Sequence, residues 1–98
     1  MKKLQNYING KFQAPVLGKY IENFDPSKGV VFSLIPDSDA EDVSLATEAA
    51  KAAFPKWSTM TLNERSEILL RLSKGIEDRM DEFVAAESLD NGKPVSLA

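Results

Sequence analysis

Cysteine and histidine are both absent from this sequence of 98 residues. Their absence excludes disulfide bonds, zinc sites of the Cys/His type, a cysteine nucleophile, Ser–His–Asp catalysis and acid–base chemistry by histidine. Any reaction carried by the chain itself would have to use carboxylates, Lys, Tyr, Ser or Thr.

A surplus of basic residues is also missing, since 12 Lys and Arg residues stand against 15 Asp and Glu residues, for a net charge of −3. This balance argues against a nucleic-acid partner, which requires a basic face. The longest purely aliphatic or aromatic runs are Val30–Phe32 and Ile68–Leu70, far shorter than a membrane span. No signal peptide is visible at the N-terminus. We therefore expect a cytoplasmic location and no membrane partner.

The composition that is present is typical of a soluble globular domain, with 43% hydrophobic and 28% charged residues. The length predicts one domain. Strand patterns fill residues 1–36 and helix patterns fill residues 37–98. The predicted fold class is α+β, with N-terminal β-hairpins followed by three helical segments.

Tight turns organise the first third of the chain. Asn9-Gly10 favours a type I′ hairpin, because both central residues of that turn need positive φ. The segment Asp25–Gly29 predicts a second turn between strands at Tyr20–Phe24 and Val30–Ile35.

The strand Val30–Ile35 is apolar on both faces. Strict alternation places Val30, Phe32 and Leu34 on one face, with Val31 and Ile35 on the other. This pattern predicts burial on two sides, or a partner outside this chain.

The first helix is predicted to begin with a capping box formed by Ser38 and Glu41. We expect it to end near Ala53, because Pro55 disfavours a helical conformation at Phe54. Small apolar residues follow at helical spacing and would allow close approach of another element: Val43, Ala46, Ala50 and Ala53.

Two further helices follow. Thr61 and Glu64 predict a second capping box, and Leu62, Leu69, Leu72 and Ile76 continue an apolar stripe joined by Ile68. A break is expected near Glu77–Arg79. The third helix is expected to stop at Asn91-Gly92, with Pro94 preventing continuation.

No motif in the chain predicts a site. Asp37, Asp39 and Glu41 imitate the start of a calcium loop and Glu48 stands at its twelfth position, but Asp42 occupies the sixth position, where that loop needs glycine. The missing glycine decides against the calcium loop, and we interpret these residues as an acidic first helical turn that satisfies free N–H groups and the helix dipole.

Other polar and aromatic groups have plain structural explanations. Three Gly-Lys pairs match no phosphate-binding loop, the carboxylates around Arg79 are typical of a solvated helix face, and Phe54 and Trp57 favour core packing over a ligand site. We predict no catalytic, cofactor-binding or metal-binding residue in this chain.

Several short motifs, which follow one another along the chain, together resemble the N-terminal region of the aldehyde dehydrogenase superfamily. The resemblance covers nearly the whole chain, and FDPSKG, AAFPKWS and DEFVAAES are most similar to dehydrogenases of the aminomuconate- and hydroxymuconic-semialdehyde type. The matching segments are Tyr7–Phe12, the turn at Asp25–Gly29 with its apolar strand, Ala40–Val43, Ala49–Trp57, Asn63–Arg65 and Glu87–Pro94.

The resemblance implies a parent enzyme that oxidises an aldehyde to a carboxylic acid with NAD(P)⁺, by way of a cysteine thiolate and a glutamate-activated water. In the family these groups lie downstream, and this chain has no cysteine. The 98-residue chain alone is therefore predicted to be inactive and to bind no cofactor. Its implied role is a scaffold within the parent's α/β fold, where its partners would be the remainder of the chain and further copies in a homo-oligomer. The family's monovalent-cation site would map near Asn23 and Phe24, but its other ligands lie beyond Ala98, so none is assigned.

Two hypotheses follow. In the first, the chain is one incomplete domain: residues 1–36 form the β-hairpin segment, and residues 37–98 lead towards a missing dinucleotide-binding core, with Val95–Ala98 as the first turn of a further helix. In the second, the chain is a free-standing α+β interaction module without catalysis. A cooperative thermal transition of the isolated chain would favour the second hypothesis.

Overall fold

The computed structural model describes residues 1–98 and confirms the order of strands followed by three helices. The strands are β1 (Lys2–Lys3), β2 (Asn6–Ile8), β3 (Lys11–Gln13), β4 (Tyr20–Asp25) and β5 (Val30–Pro36). The helices are α1 (Ala40–Thr59), α2 (Leu62–Asp78) and α3 (Met80–Asn91). None of these helices combines the length and hydropathy needed to cross a membrane.

The strands form two small sheets. β2 pairs antiparallel with β3, and the second sheet has the order β1-β5-β4. In that sheet β4 and β5 are antiparallel, whereas β1 runs parallel to β5. The sequence does not predict β1, because its two lysines carry no strand pattern and the element exists only through pairing with Ser33 and Leu34.

Both predicted turns are confirmed. Asn9 and Gly10 have φ angles of 53° and 76°, as a type I′ hairpin requires. In the turn between β4 and β5, the Gly29 N–H donates to the Asp25 carbonyl at 2.7 Å.

A β-bulge interrupts the pairing of β4 with β5. Asn23 is opposite Ser33, but the next residue, Phe24, is opposite Val31, so Phe32 has no partner in the ladder. The bulge breaks the strict alternation of side chains that the sequence predicts for β5.

The predicted cap of α1 is wrong by one residue. Asp39 is the N-cap: its Oδ1 accepts hydrogen bonds from the N–H groups of Glu41 at 3.0 Å and Asp42 at 3.2 Å. Asp42 completes the capping box, since its Oδ2 accepts from the Asp39 N–H at 3.0 Å. The Ser38 hydroxyl instead accepts from the side chain of Asn6 at 2.8 Å.

The predicted end of α1 near Ala53 is also wrong, because the helix includes Pro55 and continues to Thr59. Proline removes only one N–H, whose acceptor would have been the carbonyl of Lys51. Lys51 is exposed, so water can satisfy that carbonyl.

The other helix boundaries follow the predictions more closely. The Thr61 hydroxyl accepts from the Glu64 N–H at 3.1 Å and caps α2, but the predicted capping box is incomplete, because Glu64 Oε1 accepts from the Thr61 hydroxyl and not from its N–H. The break falls at Arg79, between α2 and α3. Gly92 ends α3 in the left-handed conformation, with φ 76°. Beyond it, the Ala98 N–H donates to the Pro94 carbonyl at 3.1 Å and closes one helical turn.

α3 is docked on the sheet by contacts that span most of the chain. The Asn23 side chain donates to Asp90 Oδ1 at 3.0 Å and to the Ser33 hydroxyl at 3.3 Å. A Cβ built on Gly92 would lie 3.2 Å from Cγ of Pro26, so the end of α3 and the β4–β5 turn are in close contact.

The chain has no hydrophobic core. Four of its 98 residues are buried, namely Pro15, Asp25, Ser33 and Asp42, and none of them is a large apolar residue. The molecule measures 47 × 37 × 16 Å, and its radius of gyration is 16.9 Å. A compact domain of this size has a radius of gyration of about 13 Å. The structure is therefore a thin slab, little thicker than one helix.

Candidate functional site

The buried carboxylate of Asp42 joins two segments that lie far apart in the sequence. Its Oδ2 accepts the Asp39 N–H within the cap, and its Oδ1 accepts the Val16 N–H at 2.8 Å. These two backbone donors hold the pKa of the Asp42 carboxyl below its ordinary value. The side chain joins the turn at Val16 to the start of α1, and its hydrogen-bonding capacity is used structurally.

The acidic residues before and within the first turn of α1 do not form a calcium loop. Asp39 and Asp42 accept backbone N–H groups of the cap, and Asp37 is exposed before the helix. Glu48 lies further along α1, where its carboxylate is 3.6 Å from the ammonium of Lys51. No group of three or more carboxylates in the structure is positioned to hold a metal ion.

Asp25 serves the β4–β5 turn. Its Oδ1 accepts hydrogen bonds from the Ser27 hydroxyl at 2.7 Å and the Ser27 N–H at 2.9 Å. These two bonds lower the pKa of the Asp25 carboxyl. Asn23 and Phe24, near the position implied for a monovalent cation, belong to β4, and the Asn23 side chain is engaged with Ser33 and Asp90.

The carboxylates near the α2–α3 break form separate ion pairs. Arg79 donates two hydrogen bonds to Glu82, at 2.7 and 3.0 Å, which raise the pKa of the guanidinium and lower that of the carboxyl. Asp78 accepts a bond of 2.6 Å from Lys74. Shifted pKa values often mark active sites, but every shifted group here is explained by a turn, a cap or this exposed pair.

Phe54 and Trp57, expected to pack in a core, both lie in α1 and are 64% and 37% exposed. Trp57 borders a shallow apolar hollow between α1 and α2 that also includes Met60 and Ile68. The expectation of core packing within this chain is therefore wrong for Phe54, because there is no core for it to enter.

Two open apolar grooves lie on the surface of the chain. The hairpin groove, 540 Å³, lies between the β2–β3 hairpin and the alanine face of α1. Its rim carries Tyr7, whose ring meets that of Phe12 edge-on at 4.9 Å. The α2 groove, 480 Å³, is lined by Leu69, Leu72, Ile76 and Met80 with two polar neighbours. Neither groove contains converging polar groups of the kind that orient a small ligand.

The sequence reasoning missed the bond between Asp42 and Val16, and no local signal could have revealed it, because 26 positions separate the two residues. The apolar spacing along α2 did give a signal, and the structure shows that this stripe faces outward.

Comparison with known proteins gives a consistent result. Residues 12–98 match the aldehyde dehydrogenase family. The chain is 50% identical to 2-aminomuconic semialdehyde dehydrogenase from Danio rerio. The alignment of 95 residues covers 97% of this chain and 19% of that protein. The chain is 41% identical over 99 aligned residues to 2-hydroxymuconic semialdehyde dehydrogenase from Pseudomonas sp. strain CF600, covering 100% of this chain and 20% of that protein.

A solved structure agrees with these sequence matches. The NAD⁺ complex of an aldehyde dehydrogenase from Bacillus cereus superposes with a TM-score of 0.93 at 33% identity, over 99% of this chain and 20% of that chain. The chain therefore spans about one fifth of the length of the proteins it matches.

Proposed function

This chain belongs to the aldehyde dehydrogenase family, and we propose that it is the N-terminal part of an NAD-dependent enzyme that oxidises an aldehyde to a carboxylic acid. The observation that carries this proposal is the match over residues 12–98, together with relatives that are about five times longer. The role of the chain is structural, as a scaffold on which the rest of the enzyme is completed.

The proposed substrate class is inferred from the names of two relatives. The proteins from Danio rerio and Pseudomonas act, by their names, on 2-aminomuconic and 2-hydroxymuconic semialdehydes. We propose that the parent of this chain accepts a semialdehyde of this unsaturated type.

The residues present do not fit NAD. The N-terminus of α1, where a helix would bind a pyrophosphate, already holds the carboxylates of Asp39 and Asp42. The N-terminus of α2 carries Glu64, and no strand leads through a glycine-rich turn into a helix. We propose that the cofactor-binding and catalytic groups lie in the remaining four fifths of the parent. The family resemblance also implies a homo-oligomeric enzyme in the cytoplasm, and we propose the same for the parent.

The absence of a core argues against an independent interaction module. A module that folds alone must bury apolar side chains to offset the loss of chain entropy. Here no large apolar residue is buried, and 23 of them are exposed.

A grafted enzyme tests the proposal. In this construction the chain replaces the 95 matched residues of the Danio rerio relative, and it is expected to reduce NAD⁺ with an aldehyde that the unmodified relative oxidises. The same relative without its matched region is the control and is expected to be inactive. The isolated chain is expected to give no turnover. An insoluble or inactive grafted enzyme, or turnover by the isolated chain, would contradict the proposal.

A further inference from the structure

The chain contains two Asn-Gly pairs, Asn9-Gly10 and Asn91-Gly92, and a lysine follows each of them. Asparagine is a thermolabile residue. When glycine follows it, the backbone nitrogen of the glycine can approach the asparagine side chain closely, because glycine has no Cβ. The two pairs share the sequence Asn-Gly-Lys, so a difference in their reactivity reports on the structure around them.

The reaction of such a pair needs no reagent other than water. The glycine nitrogen attacks the side-chain carbonyl carbon of the asparagine, so that a C–N bond forms and the bond to the side-chain nitrogen breaks. That nitrogen leaves as ammonia, together with the proton of the glycine N–H, and a cyclic succinimide remains. Water then opens the ring at either carbonyl and gives aspartate or its β-linked isomer, isoaspartate. Nothing is oxidised or reduced.

Hydrogen bonds occupy every group that this reaction uses at Asn91-Gly92. The Asn91 amide nitrogen donates to Glu87 Oε1 at 2.6 Å, and the side-chain oxygen accepts the Lys93 N–H at 2.8 Å. The Gly92 N–H, which carries the attacking nitrogen, donates to the Ser88 carbonyl at 2.9 Å. Ring closure would require breaking these bonds at the end of α3, so the fold protects this pair.

The pair at Asn9-Gly10 lacks this protection. Both residues are exposed, and the Gly10 N–H has no backbone acceptor. The one side-chain hydrogen bond within the hairpin joins Gln13 to the Ile8 carbonyl at 3.2 Å, which leaves the Asn9 amide free. β2 and β3 are each three residues long, and a two-stranded sheet of this size opens at little cost. The left-handed φ of 53° at Asn9 adds strain that such opening relieves.

We propose that Asn9 is a site of spontaneous deamidation, and that the fold directs this modification to Asn9 while it protects Asn91. Asn9 and Gly10 help to line the hairpin groove. Deamidation therefore places a carboxylate at the edge of an apolar groove and makes the net charge of the chain more negative.

The two products have different effects on the hairpin. Aspartate, like asparagine, tolerates the left-handed conformation that the turn requires. Isoaspartate lengthens the backbone by one carbon and no longer fits a two-residue turn. We therefore expect isoaspartate, but not aspartate, to disrupt the pairing of β2 with β3.

Ageing of the grafted enzyme at neutral pH tests the proposal. Digestion at acidic pH, which limits further reaction, is followed by chromatography and mass spectrometry of the peptides that contain each pair. In the folded enzyme Asn9 is expected to react at least about tenfold faster than Asn91, because each hydrogen bond that must break raises the barrier. In urea, which unfolds the enzyme, the two pairs should react at similar rates.

Two results would overturn the proposal. The first is a rate at Asn91 that equals or exceeds the rate at Asn9 in the folded enzyme. The second is a difference between the two pairs that persists in urea, because the fold would then not be its cause.

Glu87 provides a test of the protection at Asn91. Glu87→Ala removes the acceptor of the Asn91 amide and is expected to speed the reaction at Asn91 by about two- to tenfold, with the rate at Asn9 unchanged. Glu87→Gln keeps a side-chain oxygen as an acceptor and should restore the protection. An unchanged rate at Asn91 in folded Glu87→Ala would contradict this explanation. If Glu87→Ala fails to fold, the comparison of Asn9 with Asn91 in the unsubstituted enzyme still decides the proposal.

Asn9→Asp separates the effects of the two products, because it introduces the new charge without the longer backbone. This variant of the grafted enzyme should keep the thermal midpoint of the unsubstituted protein, whereas aged enzyme that carries isoaspartate should unfold at a lower temperature. Equal midpoints for Asn9→Asp and the aged enzyme would contradict the expected effect of the longer backbone.

Discussion

Asp42 connects two segments that the sequence keeps far apart. Its carboxylate holds the N-cap of α1 with one oxygen and the Val16 N–H with the other. A carboxylate that accepts two backbone N–H groups resists protonation, because the proton would remove an acceptor from one of them. The stability of the start of α1 therefore depends on whether the carboxyl of Asp42 is ionised.

Asp42→Asn is expected to lower the thermal midpoint of the grafted enzyme at pH 7, since the amide NH₂ faces a backbone donor. The folded-state pKa of Asp42 is lowered. Its stabilisation is therefore complete above the unfolded value of about 3.9 and is lost as the pH falls through the folded value. The difference between the two proteins should shrink between pH 7 and pH 3, as measured by circular dichroism. Asp37→Asn, at an exposed carboxylate before α1, is the control. A difference that grows on acidification would contradict this role.

At the scale of elements, local chemistry predicted most boundaries. The Asn9-Gly10 turn, the Thr61 cap, the break at Arg79 and the Gly92 stop each depend on residues a few positions apart. The end of α1 was misjudged for a local reason, because the helix tolerates Pro55, whereas the misplaced cap of α1 involves a distant residue. Asn6 engages Ser38 from 32 positions away, so the cap moved to Asp39. The same limit applies to the apolar face of α2. The sequence spacing predicts which residues form this face, but its exposure depends on what packs against it.

The two glycines of the helical segment have opposite expectations. Gly92→Ala should destabilise the grafted enzyme by about 1–2 kcal/mol, because a left-handed alanine is strained and its Cβ would approach Pro26. Gly75→Ala should stabilise it by about 0.5–1 kcal/mol, since Gly75 lies inside α2 with nothing within 4 Å of an added Cβ. Urea midpoints measure both. An unchanged midpoint for Gly92→Ala would show that the left-handed cap does not control the end of α3.

At the scale of the whole molecule, the thin slab places nearly every large apolar side chain at the surface. Secondary structure is complete and side chains cap the N-termini of α1 and α2, yet no apolar core holds the elements together. Sequence patterning indicates which faces are apolar, but it does not say whether the opposing layer belongs to the same stretch of chain.

The isolated chain is expected to unfold without a cooperative transition and to bind the dye ANS, because its apolar faces have no partner. Calorimetry and dye fluorescence measure these properties, with the grafted enzyme as the control that should unfold sharply and bind little dye. A sharp transition in a monodisperse sample of the isolated chain would instead support the independent module.

The exposed apolar side chains of α2 and α3, among them Leu62, Leu69, Leu72, Ile76, Met80 and Phe83, also have a consequence in time. In the proposed parent, this region leaves the ribosome first, and its partner surface is made later. With a parent of about 500 residues and synthesis at about 5–20 residues per second, the wait is about 20–80 s. During that interval six large apolar side chains on one helical face have nothing to cover them. The nascent enzyme would therefore present a binding site for chaperones before it presents one for its substrate.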